Sequence, residues 1–244
     1  MYTKLLIILS LSTLSIVALA QDAAQTEPVS PIRAALEQAR QDVRDGDREA
    51  AIDVLEGLHE GGFNAVGVIT GDEDLATLTG MPAFDALVAK MSALAYPCEH
   101  DSAFRGFDFW VGEWDVHVAN GTLAGHNVIS SEQRGCVLIE NWTSATGGRG
   151  TSINFLDKAT NEWVQIWNSE SGSQIQIRGG ITDDGMLLVG TIHYVSGDTT
   201  ADFRGLWTPL PDGRVRQFFE QSNDGGASWS PWFEGFYSRR PSAK

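Results

Sequence analysis

The sequence predicts a mainly β protein: an antiparallel up-and-down β-barrel of about ten strands preceded by a small helical segment. Two observations support this fold class. Apolar residues recur at helical spacing as far as about residue 95, whereas after Tyr96-Pro97 they come in short runs rich in aromatic and β-branched residues. Clusters of Gly, Asn, Asp and Pro separate these runs at the spacing typical of an all-β sandwich or barrel.

The first 20 residues are expected to be a secretory signal peptide. Lys4 supplies an early positive charge, an apolar stretch follows, and Ala18-Leu19-Ala20 provides a small-residue cleavage site before Gln21. A membrane anchor is the alternative, but the apolar stretch is shorter than about 20 residues and contains Ser and Thr. We therefore expect a periplasmic or secreted protein with no membrane span after signal cleavage, and a flexible lead over residues 21–30.

The mature chain is strongly acidic. Cleavage removes Lys4 and no acidic residue, which leaves 16 basic against 32 acidic residues and a formal charge of −16. Charge of this sign repels phosphate backbones and anionic lipid surfaces, so nucleic acid and membrane surfaces are poor candidate partners.

Residues 31–95 are predicted to be helical. Ser30 has the features of an N-cap with Pro31 at the first helical position, and Asp45-Gly46-Asp47 separates this helix from a second that ends at Gly61-Gly62. The pair is similar to a single tetratricopeptide-like hairpin, and a third helix follows at about residues 83–94. Because such repeats need about three copies to bury a continuous core, we interpret the segment as a helical cap or as an arm that docks on a protein partner.

Residues 98–240 are predicted to form the barrel. Turns rich in Gly, Asn and Asp connect successive strands, as hairpins require. No helical pattern or long connection interrupts the series, which favours a closed meander over a sandwich with Greek-key crossovers. The predicted strands cover residues 107–118, 125–133, 135–143, 149–156, 162–168, 173–180, 185–195, 200–208, 213–221 and 229–239.

Cys98 and Cys136 are the two cysteines of the chain, and an even number in an exported protein favours a disulfide. The alternative is a metal site at Cys98-Glu99-His100-Asp101, which lacks a second ligand motif. We expect the bond, which would tie the end of the helical segment to the third strand, and no metal or cofactor.

The barrel region contains a series of spaced tryptophan motifs. Over residues 98–240 the pattern resembles an uncharacterised bacterial domain-of-unknown-function family with a lipocalin-like (calycin) barrel, a resemblance that implies a fold and no agreed activity. The motifs that carry it are Phe107-Asp108-Phe109-Trp110-Val111-Gly112-Glu113-Trp114, Gly135-Cys136, Glu140-x-Trp142, Trp163-x-Gln165-x-Trp167, Arg204-x-x-Trp207 and Ser222-x-Asp224-Gly225-Gly226-x-x-Trp229.

The resemblance has consequences for single residues. Together with side-chain alternation along the first strand, it implies that Trp114 lies inside a closed end of the barrel against Arg239 or Arg240. Haem-binding relatives of this fold ligate iron through a histidine on a late strand. No histidine follows His193 in this chain, so a haem site would lack its ligand. The stretch 222–229 also matches the Asp-box hairpin of sialidases, which we interpret as a structural turn.

The sequence contains no recognisable nucleophilic or histidine-based catalytic motif. Polar residues embedded in aromatic strands instead indicate a lumen with a few fixed polar groups among tryptophans, which is typical of a small-molecule pocket. The candidate ligand-binding residues are Glu140, Trp163, Gln165, Trp167, Arg204, Gln217 and Glu220.

Three hypotheses about function follow. The leading one is an exported non-enzymatic barrel that binds a small, largely apolar ligand. The second is an enzyme that uses Glu140 or Glu220 as a buried acid or base, with Arg204 stabilising an anion. The third is an interaction protein that docks through its helical arm.

Glu140 separates the first two hypotheses. It shares a strand face with Leu138 and Trp142, so we expect it to point inward, where a charged carboxylate needs a partner. The expected partner is Arg204, in a cavity shared with Trp163 or Trp167. If Arg204 points to solvent while Glu140 stands alone and buried, the enzyme moves ahead, and if both face water, neither residue has a claim to function.

Overall fold

The computed structural model describes residues 30–241 of the 244-residue chain. It contains a short helical segment followed by a closed antiparallel barrel of ten strands, which confirms the predicted fold class. The predicted signal peptide at residues 1–20 and the predicted lead up to residue 29 lie outside the described residues.

The helical segment begins with two helices whose caps agree with the sequence signals. Ser30 Oγ accepts a hydrogen bond from the backbone N–H of Arg33 at 3.2 Å, and an Asp47 carboxylate oxygen accepts one from Ala50 at 3.1 Å. Between these caps Gly46 ends the first helix with φ at 88°, a left-handed conformation that glycine adopts at little cost. The helices are α1 (Pro31–Asp45), α2 (Arg48–Glu60), α3 (Val66–Thr70), α4 (Pro82–Ala95) and α5 (Pro97–His100).

These helices bury a core of their own, separate from that of the barrel. The stretch between α2 and α4, for which the sequence indicated no element, forms α3 and a 3-10 turn at Leu75–Leu78. Ile69, Leu75 and Leu78 are fully buried there. Elements of one turn are too short to show a helical period, which is why the pattern did not reveal them.

All ten predicted strands are present in the barrel. Each strand pairs antiparallel with its sequence neighbours, and the first pairs with the last, so the sheet closes without an edge. The strands are β1 (Gly112–His117), β2 (Leu123–Glu132), β3 (Val137–Ser144), β4 (Arg149–Asp157), β5 (Glu162–Ser169), β6 (Ser173–Thr182), β7 (Gly185–Tyr194), β8 (Thr199–Pro209), β9 (Val215–Ser222) and β10 (Ser230–Arg239).

The first strand is shorter than predicted. The prediction began it at residue 107, but Asp108–Trp110 forms a 3-10 turn and β1 begins only at Gly112. Phe107 and Trp110 are fully buried and stack with their ring centroids 4.9 Å apart. Aromatic residues favour strands, which is why the pattern predicts one here. In the structure residues 107–110 instead form a plug that fills this end of the barrel.

Trp114 lies inside this plugged end and packs against the last strand, as predicted. The guanidinium carbon of Arg239 lies 3.9 Å from the centroid of the Trp114 ring, and Arg239 Nη1 donates to the carbonyl of Val111 at 2.6 Å. Gly112 makes the contact possible, because a Cβ at that position would collide with the guanidinium. In the Gly-x-Trp motif, the glycine thus leaves space for the arginine that packs over the tryptophan ring.

A disulfide joins Cys98 to Cys136, as predicted, with the two Cα atoms 4.9 Å apart. It connects α5 to the residue that precedes β3. Arg105 reinforces the link, since its Nη2 donates to the carbonyl of Cys98 at 3.0 Å and to that of Gly135 at 2.8 Å. The segment that leads into the plug therefore has covalent and polar connections to the barrel wall.

The turn between β9 and β10 has the structural role expected of the Asp-box match. Asp224 accepts hydrogen bonds from the hydroxyl and the amide of Ser228, at 2.6 and 2.9 Å, and from the hydroxyl of Ser222 at 2.7 Å. The bonds from Ser228 contribute most to lowering the pKa of Asp224 to about 2. The carboxylate is thus occupied in closing the turn.

We expect the double variant Cys98→Ser, Cys136→Ser to lose about 4 kcal/mol of unfolding free energy, because the bond restricts the loop between these residues in the unfolded chain. Urea unfolding of the mature protein measures the loss. The reduced wild-type protein is the control and should lose a similar amount. A loss below about 1 kcal/mol in both would show that the bond contributes little.

Candidate functional site

The lumen is filled at one end of the barrel. The ring of Phe107 lies 4.9, 5.7 and 5.2 Å from the rings of Trp110, Trp163 and Trp207, measured between centroids. All four side chains are nearly or fully buried. Because antiparallel strands alternate in direction, the start of β5 and the end of β8 meet at this rim, which brings Trp163 and Trp207 together.

The other half of the lumen contains a cavity of about 160 Å³. A cavity of roughly 150 Å³ holds a benzene molecule, so this one matches a ligand fragment of about one aromatic ring. Trp232, at the start of β10, is 43% exposed and marks the open rim, whereas Glu140 is 4% exposed. The cavity is lined by the apolar residues Trp142, Trp167, Ile175, Phe219, Trp232 and Phe233 and by the polar residues Glu140, Gln165, Gln217 and Tyr237.

Inward-facing glycines provide the space for two of the wall tryptophans. A Cβ on Gly125 of β2 would collide with the ring of Trp142, and a Cβ on Gly150 of β4 would collide with that of Trp167. Two further glycines, on β8 and β10, have the same relation to the wall phenylalanines. The rings therefore pack directly against bare backbone, where any larger residue would displace them.

Two pairs of aromatic rings add stiffness to the wall. Trp142 and Phe233 meet edge to face with centroids 6.3 Å apart, and Phe219 lies 6.1 Å from Trp232. Such pairs restrict one another's rotation, so the cavity keeps its shape without a ligand.

A network of hydrogen-bonded side chains surrounds Glu140 at the inner end of the cavity. Ser152 Oγ donates to Glu140 Oε2 at 2.6 Å, and Asn127 Nδ2 donates to Glu140 Oε1 at 2.7 Å. On one side, Asn154 Nδ2 donates to Ser152 Oγ at 2.8 Å and Gln165 Nε2 donates to Asn154 Oδ1 at 2.9 Å. The carboxyl group is thus held on both oxygens by uncharged donors.

The network continues on the other side through Tyr237. Its hydroxyl accepts from Asn127 Nδ2 at 3.2 Å and donates to Gln217 Oε1 at 2.6 Å. Burial, and to a smaller extent the charge of Glu140, raise the pKa of Tyr237 well above its ordinary value. Tyr237 is therefore a neutral hydrogen-bonding group at physiological pH.

Glu140 titrates close to neutral pH. Burial raises its pKa from 4.5 to about 7, although the bonds from Ser152 and Asn127 oppose the shift because they favour the charged form. Asn127 can form a hydrogen bond with either protonation state of Glu140. Its NH₂ donates to the carboxylate, and its Oδ1, which is buried without a partner among residues 30–241, can accept from the protonated acid after the amide rotates.

The structure brings four of the seven candidate residues together at the cavity: Glu140, Gln165, Trp167 and Gln217. Trp163 also faces inward, but it belongs to the filled end, where it contacts Phe107. Alternation along a strand shows which side of the sheet a residue faces, and it does not show its height in the barrel.

The predicted contact between Glu140 and Arg204 is wrong. Arg204 Nε donates to Glu220 Oε2 at 2.7 Å, and these two residues are direct cross-strand partners on β8 and β9. Both alternate with inward-facing aromatic residues, Phe203 and Phe219, and so they lie on the outer face of the barrel. Neither contributes to the cavity.

The sequence reasoning missed several residues of the site. These are Asn127, Ser152, Asn154 and Tyr237, each of which contacts Glu140 or one of its partners. Asn127 and Tyr237 share a strand face with buried residues, so alternation was the signal that could have found them. On β4 two apolar side chains lie on the outer face, so alternation of apolar and polar residues would have turned Ser152 and Asn154 outward.

No protein-family model matches this chain, and no curated protein matches it. Between residues 30 and 241, no group of three or more His, Cys, Asp or Glu side chains is arranged to hold a metal ion. None of the helices in that range has the length and apolar character needed to cross a bilayer. The functional inference therefore depends on the geometry of the cavity.

We expect the wild-type protein to lose stability as the pH rises through the range in which Glu140 ionises. Between pH 4.5 and about pH 7, Glu140 keeps a proton in the folded state that it has released in the unfolded state. The free energy of unfolding therefore falls as pH rises through this range, and it levels off above about pH 7. The part due to Glu140 is roughly 3 kcal/mol. Denaturant unfolding at about pH 5 and pH 8 measures it.

Glu140→Gln is neutral at both pH values and should lack this loss, whereas Glu220→Gln, on the outer face, should keep it. The same pH dependence in wild type and Glu140→Gln would show that Glu140 does not ionise in this range.

Proposed function

We propose that this protein is an exported, non-enzymatic barrel that binds a small, largely apolar ligand in the open half of its lumen. The observation that supports this most directly is the cavity of about 160 Å³, which is lined by six apolar and four polar side chains. Small-molecule sites typically combine an apolar wall with a few polar groups that fix the orientation of the ligand.

The rigidity of the cavity supports the same conclusion. The wall rings rest on glycines and on one another, and the polar groups at the inner end are held by a continuous network. A ligand therefore has little protein to order when it binds, which lowers the entropic cost of association.

The helical arm supports the docking hypothesis less well. Its apolar residues are largely used to bury a core of their own, which includes Leu55, Phe84 and Met91. A segment that uses its apolar faces in this way leaves little apolar surface for a protein partner.

The condition set for the enzyme is met only in part. Arg204 points outward and Glu140 is buried, but Ser152 and Asn127 hold both carboxylate oxygens, so Glu140 does not stand alone. The enzyme is therefore the second candidate. Glu140 lines the cavity and has a pKa of about 7, which suits a general acid or base at neutral pH. The anion-stabilising role assigned to Arg204 in that hypothesis has no basis at the cavity, because Arg204 lies on the outer face. Any reaction would then be limited to proton transfer by Glu140.

Export and family membership belong to the same proposal. Export is supported by the three parts of the signal sequence over residues 1–20, and a disulfide is weakly consistent with an oxidising compartment. Membership of the uncharacterised bacterial calycin-like family is supported by the closed barrel and by Trp114, which lies inside one end under Arg239.

We expect cells that produce the full chain to export a protein that begins at Gln21, because Ala18-Leu19-Ala20 is a small-residue cleavage site. Intact-mass measurement of the extracytoplasmic fraction tests this. A chain without residues 1–20 is the control and should stay in the cytoplasm. Full-length protein held in the membrane fraction would show instead that the segment is an anchor.

We expect Ile175→Phe to weaken the binding of single-ring probes such as toluene and benzyl alcohol by about tenfold or more, because the larger side chain occupies the cavity. Titration followed by tryptophan fluorescence reports binding, since three tryptophans line the cavity. Native mass spectrometry of freshly purified protein shows whether a cellular ligand is retained and whether it is chemically altered.

The matched control is Ile166→Phe, which makes the same change on the outer face of the neighbouring strand β5, where Ile166 is 37% exposed. It should leave binding unchanged. Equal affinities in both variants and wild type would place any bound probe elsewhere on the molecule, and the proposal would fail.

A further inference from the structure

The cavity has one acidic group that can ionise near neutral pH and no basic group to balance it. Its ten lining residues include Glu140 and Tyr237 but no Lys, Arg or His from the described residues 30–241. Arg204 and Arg216, on the strands of the cavity wall, pair with Glu220 and Glu234 on the outer face. The protein therefore places a carboxyl group in the lumen and keeps neighbouring cations outside.

The hydrogen bonds of Glu140 leave room for a third partner. Each carboxylate oxygen accepts one bond, Oε1 from Asn127 and Oε2 from Ser152, and a carboxylate can accept about four. The residue also borders the empty volume of the cavity. Both protein donors are neutral, so they orient the carboxylate without cancelling its charge.

The wall of the cavity is suited to a positive charge. Trp142, Trp167 and Trp232 line it, and the negative face of an indole ring attracts a cation most strongly among the aromatic side chains. The same rings provide apolar contact for the uncharged part of a ligand. Aromatic walls combined with one carboxylate are the two features by which proteins recognise organic ammonium groups.

We propose that the ligand of this cavity is a small organic cation, a protonated amine on an apolar group of about one ring, whose N–H donates to Glu140 between the tryptophan walls. This inference rests on the proposed binding function and specifies the ligand class. A carboxylate ligand would be repelled by Glu140, and a neutral ligand would leave the charged carboxylate without a counter-charge.

The titration of Glu140 makes the selectivity depend on pH. Its pKa of about 7 means that the cation-binding form is scarce at pH 6 and dominant at pH 8. The other groups in contact with it, Asn127 and Ser152, do not titrate, and Tyr237 stays neutral. An amine should therefore bind more tightly as pH rises, with release of a proton from Glu140.

Calorimetric titration of the mature protein with benzylamine, benzyl alcohol and benzoate tests the proposal, because these probes share a ring and differ in charge. At about pH 8 we expect benzylamine to bind about tenfold more tightly than benzyl alcohol, and benzoate to bind more weakly than either. At about pH 6 the affinity for benzylamine should fall by about tenfold, while that for benzyl alcohol should stay constant.

Glu140→Gln should remove the preference for benzylamine over benzyl alcohol. Glu220→Gln is the control, since it removes an outer-face carboxylate, and it should behave as wild type. If Glu140→Gln does not fold, the pH dependence of the wild-type protein decides the question.

Three results would overturn the proposal. Equal binding of benzylamine and benzyl alcohol by the wild-type protein at both pH values would remove the cation selectivity and leave the apolar pocket intact. A preference that survives in Glu140→Gln would place its cause elsewhere. No binding of any of the three probes would overturn the proposed function itself, and the inference with it.

Discussion

Glu140 is buried in a barrel whose lumen is otherwise mainly aromatic and aliphatic, and the transfer of a carboxylate from water to such a place costs several kcal/mol unless the protein compensates. The compensation here comes from neutral donors. Ser152 and Asn127 hold the two oxygens, and Asn154, Gln165, Tyr237 and Gln217 extend the network, which spans six strands. Burial raises the pKa of the carboxyl group to about 7, and the hydrogen bonds from these neutral donors offset only part of that shift.

The two halves of the lumen serve different purposes because the chain fills only one of them. The plug before β1 is secured by the disulfide, by Arg105 and by the stack of Arg239 on Trp114. This end holds four fully buried aromatic side chains, those of Phe107, Trp110, Trp114 and Trp207. The open half can therefore keep a cavity, which costs stability, because the filled half does not depend on it.

Alternation along the strands predicted the inner end of the cavity well. It placed Glu140 inward, and Gln165 and Gln217 were identified as polar residues within aromatic strands, as the structure shows. The error concerned Arg204, which alternates with the inward-facing Phe203 and therefore had to point outward. The prediction rested on the attraction between opposite charges and not on the two-residue period of the strand. An ion pair with Glu220 on the outer face also avoids most of the desolvation free energy that burying Arg204 in the lumen would cost.

The sequence by itself determined the fold class, the number of strands and the pairing of the two cysteines, because these follow from local periodicity, turn chemistry and residue counts. The environment of Trp114 came from the family resemblance combined with strand alternation. The tertiary structure decided which inward residues share a level in the barrel. Register and strand tilt bring Glu140 beside Ser152 and Asn127 and send Trp163 to the opposite end. The period of a strand carries no information about height along the barrel axis, so the cavity and the neutral surroundings of Glu140 exist only once the sheet has closed.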